Sequence, residues 1–88
     1  MRDPLVTVVM PVWRDADALA GLLSSGRLHE VETIVAVPFG EAGRYRELLR
    51  HHPSCRLAES ARGRATQMNA GAGAATARWL LFLHADSR

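Results

Sequence analysis

The sequence has no lysine, one cysteine and few aromatic residues, and each shortage excludes something. A single thiol, Cys55, cannot form an internal disulfide or a cysteine-rich zinc site, and it fits a reducing compartment. Long apolar runs are missing as well. No stretch approaches the roughly 20 residues that a membrane span needs. The N-terminal Met-Arg-Asp-Pro leads straight into a strand-like run, not into a signal peptide, so a cytoplasmic location is expected. Charge of one sign is scarce too: eleven basic and nine acidic residues leave a net +2, which gives no case for a nucleic-acid partner.

What is there describes one small soluble domain over residues 1–88, with 48% apolar and 23% charged residues. A chain of this size buries roughly 60–70% of the surface it exposes when unfolded, enough for a core with little margin. All eleven basic residues are arginine, so every side-chain cation except a protonated histidine is a planar, permanently charged fork suited to phosphate.

The pattern alternates between strand and helix. Leu5 to Val12 is β-branched and apolar and ends near Pro11, a first strand. Asp15 can cap a helix running to Ser25, with Leu19, Leu22 and Leu23 as its apolar stripe and Gly26 as its stop. Thr33 to Val37 reads as a second strand. Glu41 to His52 reads as a second helix, with Tyr45, Leu48 and Leu49 on one face and His51-His52 closing it. Cys55 to Ala58 is a short third strand.

Arg64 to Ala77 predicts a third helix, rich in alanine and carrying Gly71 and Gly73, whose small residues permit close approach to a sheet. Trp79 to Leu83 is a fourth strand whose five apolar residues have no face to turn to water, so it reads as buried on both sides. Strand and helix in strict alternation predict an α/β fold with a parallel sheet.

Several residues could carry chemistry. Asp86 falls just past the carboxyl end of the fourth strand, where open α/β sheets bind ligands; a helix cap or a solvated chain end is its other reading. Trp13 follows Pro11 and can stack on a nucleobase or close over the small core. Arg62 and Arg64 flank Gly63 at the start of the third helix, where free N–H groups and the helix dipole favour an anion; otherwise they are solvated surface arginines. His29, His51 and His52 show no metal-ligand spacing, and no serine has a nucleophile-elbow context.

Three segments occur in order: Val6-Thr-Val-Val-Met-Pro-Val-Trp13, Gly63-Arg-Ala-Thr-Gln-Met-Asn-Ala-Gly71 and Leu81-Phe-Leu-His-Ala-Asp-Ser87. Together they resemble the N-terminal half of family-2 glycosyltransferases of the GT-A fold, closest to a bacterial subgroup whose fourth strand ends in Phe-Leu-His-Ala-Asp-Thr. The resemblance implies a three-layer, four-stranded, Rossmann-like parallel sheet in the order 3-2-1-4. It implies a nucleoside diphosphate sugar as partner, held by the first strand and its loop (Pro11, Val12, Trp13); Arg62 and Arg64 at the helix start are suited to contact its diphosphate or nucleotide.

It further implies a divalent metal, manganese or magnesium, on Asp86. His84 stands where the family commonly has a first aspartate; an imidazole is acceptable to manganese and poorer for magnesium, so His84 is a metal ligand, a group behind the ligand or a contact to phosphate. Asn69 and Gly71 fall in the helix motif, with structural roles implied: an amide that ties down a neighbouring loop, and a small residue for close packing. One departure weakens the nucleotide site. The acidic turn expected after the second strand is absent, and Glu41, the only carboxylate nearby, reads as a residue of the helix start.

The implied function is donor binding for metal-assisted glycosyl transfer. The catalytic base and acceptor pocket are expected in a second half that these residues do not include, so the chain alone is expected to be inactive. The fourth strand is then left as a bare apolar edge, and a homo-oligomer through residues 79–83 is expected. The alternatives are a non-catalytic nucleotide- or phosphate-binding module, or an oligomerising remnant.

Overall fold

In a computed structural model, residues 6–13, 16–24 and 31–83 are described. The apolar, β-branched segments form four strands: β1 (Val6–Pro11), β2 (Glu32–Pro38), β3 (Cys55–Ser60) and β4 (Trp79–Phe82). Between them run α1 (Ala16–Ser24), α2 (Ala42–Leu49) and α3 (Arg64–Ala74). The strands make one parallel sheet in the order β3-β2-β1-β4. The α/β fold and strand order therefore match the expectation. No helix among the described residues is long and apolar enough to cross a membrane.

The two faces of the sheet differ because strand side chains alternate. Val8, Met10 and Val12 of the β1 segment and Val35 and Val37 of β2 point to one face. There they meet Leu19 and Leu23 of α1 and Ala42, Tyr45 and Leu49 of α2 in a single buried cluster. Each large side chain fully buried there contributes about 1.5–3 kcal/mol relative to exposure. The opposite face presents Thr7, Val9 and Pro11 to α3, which crosses from the end of β3 back to β4. Gly71 makes that crossing possible, since a Cβ added to it would lie 2.4 Å from Val9 Cγ1. The close packing expected of this helix is present.

Element ends differ from the sequence reading. Strands β2 and β3 run further, to Pro38 and Ser60. Helix α2 stops at Leu49, so His51 and His52 lie beyond it and do not close it. Successive turns replace its last residues, with Arg50 N–H bonded to Glu47 C=O and His52 N–H to Leu49 C=O. Helix α3 ends at Ala74, because Ala75 turns extended and a polar latch claims the next residues. Asp15, Ser25 and Gly26, the predicted limits of the first helix, lie outside the described residues.

That latch sits at the amino end of the sheet. Glu32 accepts hydrogen bonds from the Thr7 hydroxyl, from Thr76 N–H (3.0 Å) and from the Thr76 hydroxyl (2.6 Å). Arg56 lies 3.6 Å away, and Ala77 N–H donates to Thr7 Oγ1. Burial pushes the Glu32 carboxyl up, but the bonds from Thr7 and Thr76 and the charge of Arg56 outweigh it and hold the group below its ordinary value.

Strand β4 corrects a further expectation. It is exposed along its whole length, from 41% at Leu80 to 62% at Trp79, instead of buried on both sides. It is the outermost strand, and α3 lies mainly over β1, β2 and β3, so among the described residues neither face of β4 is covered.

Candidate functional site

The carboxyl ends of β1, β2 and β3 and the start of α3 gather on one edge of the sheet. After β1 the chain adds strands on one side of it, and β4 then joins on the other. Strand order thus reverses between β1 and β4, the position where open parallel sheets form a ligand crevice. The two strands run in register from Val6 opposite Trp79 to Val9 opposite Phe82, and Leu83 N–H donates to Val9 C=O at 3.0 Å. Their carboxyl ends therefore lie side by side. His84 and Asp86, the expected metal ligands, lie outside the described residues, as do residues 14 and 15.

On the first wall, Pro11 and Val12 are buried and Trp13 is exposed. Val12 spends its N–H on Ala36 C=O (3.0 Å), and its C=O accepts from Gln67 Nε2 (2.9 Å). Its main chain therefore braces the wall. Trp13 is 41% exposed, and the Arg62 guanidinium stands over its ring, 4.4 Å from the centroid. The structure thus brings together two residues that the sequence singled out separately.

Arg62 is held by the turn into α3. Gly63 has φ +140°, a conformation that side-chain-bearing residues rarely adopt, and it is the residue that caps the helix. Helix α3 has no side-chain cap at this end, so its first N–H groups and its dipole remain available to an anion, with exposed Arg62 and Arg64 beside them.

Gln67 organises the site and was missed by the sequence reading. It is 3% exposed, and its Nε2 donates to Val12 C=O and to Ala36 C=O (2.7 Å). Its Oε1 accepts from Gly63 N–H at 3.1 Å. One amide thereby joins β1, β2 and the Gly63 turn. Asn69, whose amide was expected to tie down a loop, is exposed, and Gln67 makes bonds of that kind.

Phe39 is the second omission. It is 67% exposed at the end of β2, fixed by its N–H to Ser60 C=O at 2.7 Å, and followed by Gly40 at φ +88°. The Pro38-Phe39-Gly40 turn was the signal that could have found it. Glu41 precedes α2 with Arg44 3.9 Å away, which agrees with its reading as a residue of the helix start.

Among the described residues no group of three or more histidine, cysteine, aspartate or glutamate side chains could hold a metal ion. Comparison with protein-family models gives no match, and a search of curated proteins finds no relative of significant similarity.

Proposed function

We propose that the carboxyl-edge crevice binds the nucleoside diphosphate of a sugar donor, as the donor-binding part of a family-2-like glycosyltransferase. The observation that carries this reading is the Trp13–Arg62 stack beside the uncapped start of α3, at the strand reversal. An aromatic face, two guanidinium forks and a helix N-terminus are complementary to a base and a diphosphate.

Magnitudes favour exchange of the stack for ligand. An exposed cation–π contact is worth about 0.5–1 kcal/mol, whereas stacking a base on an aromatic ring is worth about 1–3 kcal/mol. A base that takes one face of Trp13 therefore releases Arg62 at small cost, and Arg62 can turn to the diphosphate. Pro11 and Val12 contribute the rigid wall on which Trp13 is mounted.

A divalent metal is part of this reading, with Asp86, and His84 in the case of manganese, as its protein ligands. When bound it would neutralise charge on the leaving diphosphate. In this reading residues 1–88 supply donor binding, and the cytoplasm is the compartment that goes with it. An oligomerising, non-catalytic remnant is the second reading, favoured by the absence of an acidic turn after β2. The exposed β4 supports a further part of the proposal, pairing with a second copy of the chain.

Calorimetric titration with UDP and with GDP, each with and without manganese, tests the reading. Binding that strengthens with manganese and weakens about 5- to 100-fold in Trp13→Ala is expected. Asp86→Asn should remove the manganese effect and leave the metal-free affinity. Absence of binding by either nucleotide at millimolar concentration would overturn the proposal.

A further inference from the structure

Strand β3 is the other edge of the sheet, and a groove of about 650 Å³ runs between it and α2. Arg46 and Leu49 line it from α2, Arg50 from the turn just after it, and Cys55, Arg56 and Leu57 from β3. Glu47 is the one acidic residue of the lining. None of these residues belongs to the carboxyl-edge crevice.

The hydrogen bonds show which way β3 turns its peptide groups. Thr33 N–H donates to Ser54 C=O (2.9 Å), and Phe39 N–H donates to Ser60 C=O (2.7 Å). The even-numbered residues of β3 therefore face β2. By the alternation of a strand, Cys55, Leu57 and Glu59 face outward. Cys55 N–H is taken by His52 C=O at 2.9 Å. Among the described residues, the edge is left with the C=O of Cys55, both main-chain groups of Leu57 and the N–H of Glu59 turned to the outside. That is the hydrogen-bonding half of one more strand.

The side chains select what such a strand carries. Leu49, Leu57 and half-buried Cys55 make an apolar floor, and desolvation keeps the Cys55 thiol protonated by raising its pKa. At the rim stand Arg46 and Arg50, one helical turn apart. Arg50 is bound to Glu47 at 2.7 Å, but both partners are exposed, so that pair is weak and exchangeable. Arg56 is already engaged with Ala74 C=O (2.9 Å) and Glu32. Glu59 lies further along the same face as Cys55 and Leu57, and it would repel a carboxylate placed beside it.

We propose that this groove docks an extended peptide segment of a partner protein, which adds as a fifth strand beside β3 and places one carboxylate over Cys55–Leu57, toward Arg46 and Arg50. A glutamate suits the position best: its methylenes cover the floor while its carboxylate reaches the rim. Positions flanking it on the strand favour β-branched residues. A small anion would use the guanidinium groups and leave the edge unpaired.

The test uses a seven-residue capped peptide, Thr-Val-Thr-Glu-Thr-Val-Thr, followed by the protein's amide NMR signals. The expected result is a shift and slowed exchange of the Leu57 and Glu59 amides. Replacing the central Glu by Lys should weaken binding about fivefold, the upper range for one exposed ion pair. N-methylating the peptide's main chain should abolish it.

Arg46→Glu with Arg50→Glu, both exposed, should weaken binding about tenfold. Glu47→Gln, which frees Arg50, should tighten it about twofold. Shifts at Leu80 and Phe82 instead, equal binding of the Lys peptide, the same response to inorganic phosphate, or no response at millimolar peptide would each overturn the proposal.

Discussion

A single carboxylate, Glu32, fastens the passage from α3 to β4 onto the amino ends of β1 and β2. Its pKa is lowered in the folded protein, because the Thr7 and Thr76 bonds and Arg56 outweigh the upward push of burial. A lowered folded pKa means that the contribution is complete above the unfolded value. It fades as pH falls through the folded value. Glu32→Gln keeps the shape and removes the charge, and should cost about 1–3 kcal/mol at neutral pH. In urea unfolding at pH 7, 5, 4 and 3, the difference between the two proteins should shrink below the ordinary carboxyl value of 4.5. A difference that persists unchanged at pH 3 would show that the charge is irrelevant.

Neither Glu32 nor Gln67 was legible in the sequence: their partners lie 25 and 44, or 31 and 55, residues away, and no local pattern marks such pairs. Trp13 and Arg62 were legible one by one, from a strand-ending proline and a helix start. Their stacking was not, because it depends on how the β1 and β3 ends are brought together.

At the scale of elements, strand and helix alternation was readable because apolar periodicity is a local property. The ends of α2 and α3 were not, since turns and the Glu32 latch decide them. The meaning of the glycines in α3 also became visible only in packing. Gly71 faces Val9 so closely that an added methyl group must displace it, whereas a methyl on Gly73 meets nothing within 4 Å.

The same substitution should therefore have opposite signs two residues apart. Gly71→Ala is expected to destabilise by about 1–3 kcal/mol through overpacking, and Gly73→Ala to stabilise by up to about 1 kcal/mol through helix propensity. Adding Val9→Ala to Gly71→Ala should reduce the combined loss below the sum of the two single losses, as expected for residues in contact. Thermal or denaturant unfolding of the four variants measures all of this. Equal effects at the two glycines would refute the close crossing of α3.

For the whole molecule, the sheet has two unlike edges. The β3 edge is charged and lies along α2, while β4 carries Trp79, Leu80, Leu81 and Phe82 with no charge among them. Leu83 N–H faces β1, so the alternate residues Leu80 and Phe82 turn their main-chain groups outward. Two copies related by a two-fold axis at Leu81 can pair these strands antiparallel. Leu80 of each copy then exchanges two hydrogen bonds with Phe82 of the other, and the two Leu81 side chains meet directly.

Main-chain bonds worth about 0.5–1.5 kcal/mol each, with a small apolar patch, would give a weak dimer and not an obligate one. Light scattering should show mass rising from monomer to dimer with concentration. Leu81→Lys places two like charges opposite each other and should hold the protein monomeric, as should Leu81→Glu. Mixing the two variants should restore the dimer, since the opposed charges then attract. A wild-type protein that stays monomeric at millimolar concentration, or a mixture that fails to associate when the wild type does, would exclude this pairing.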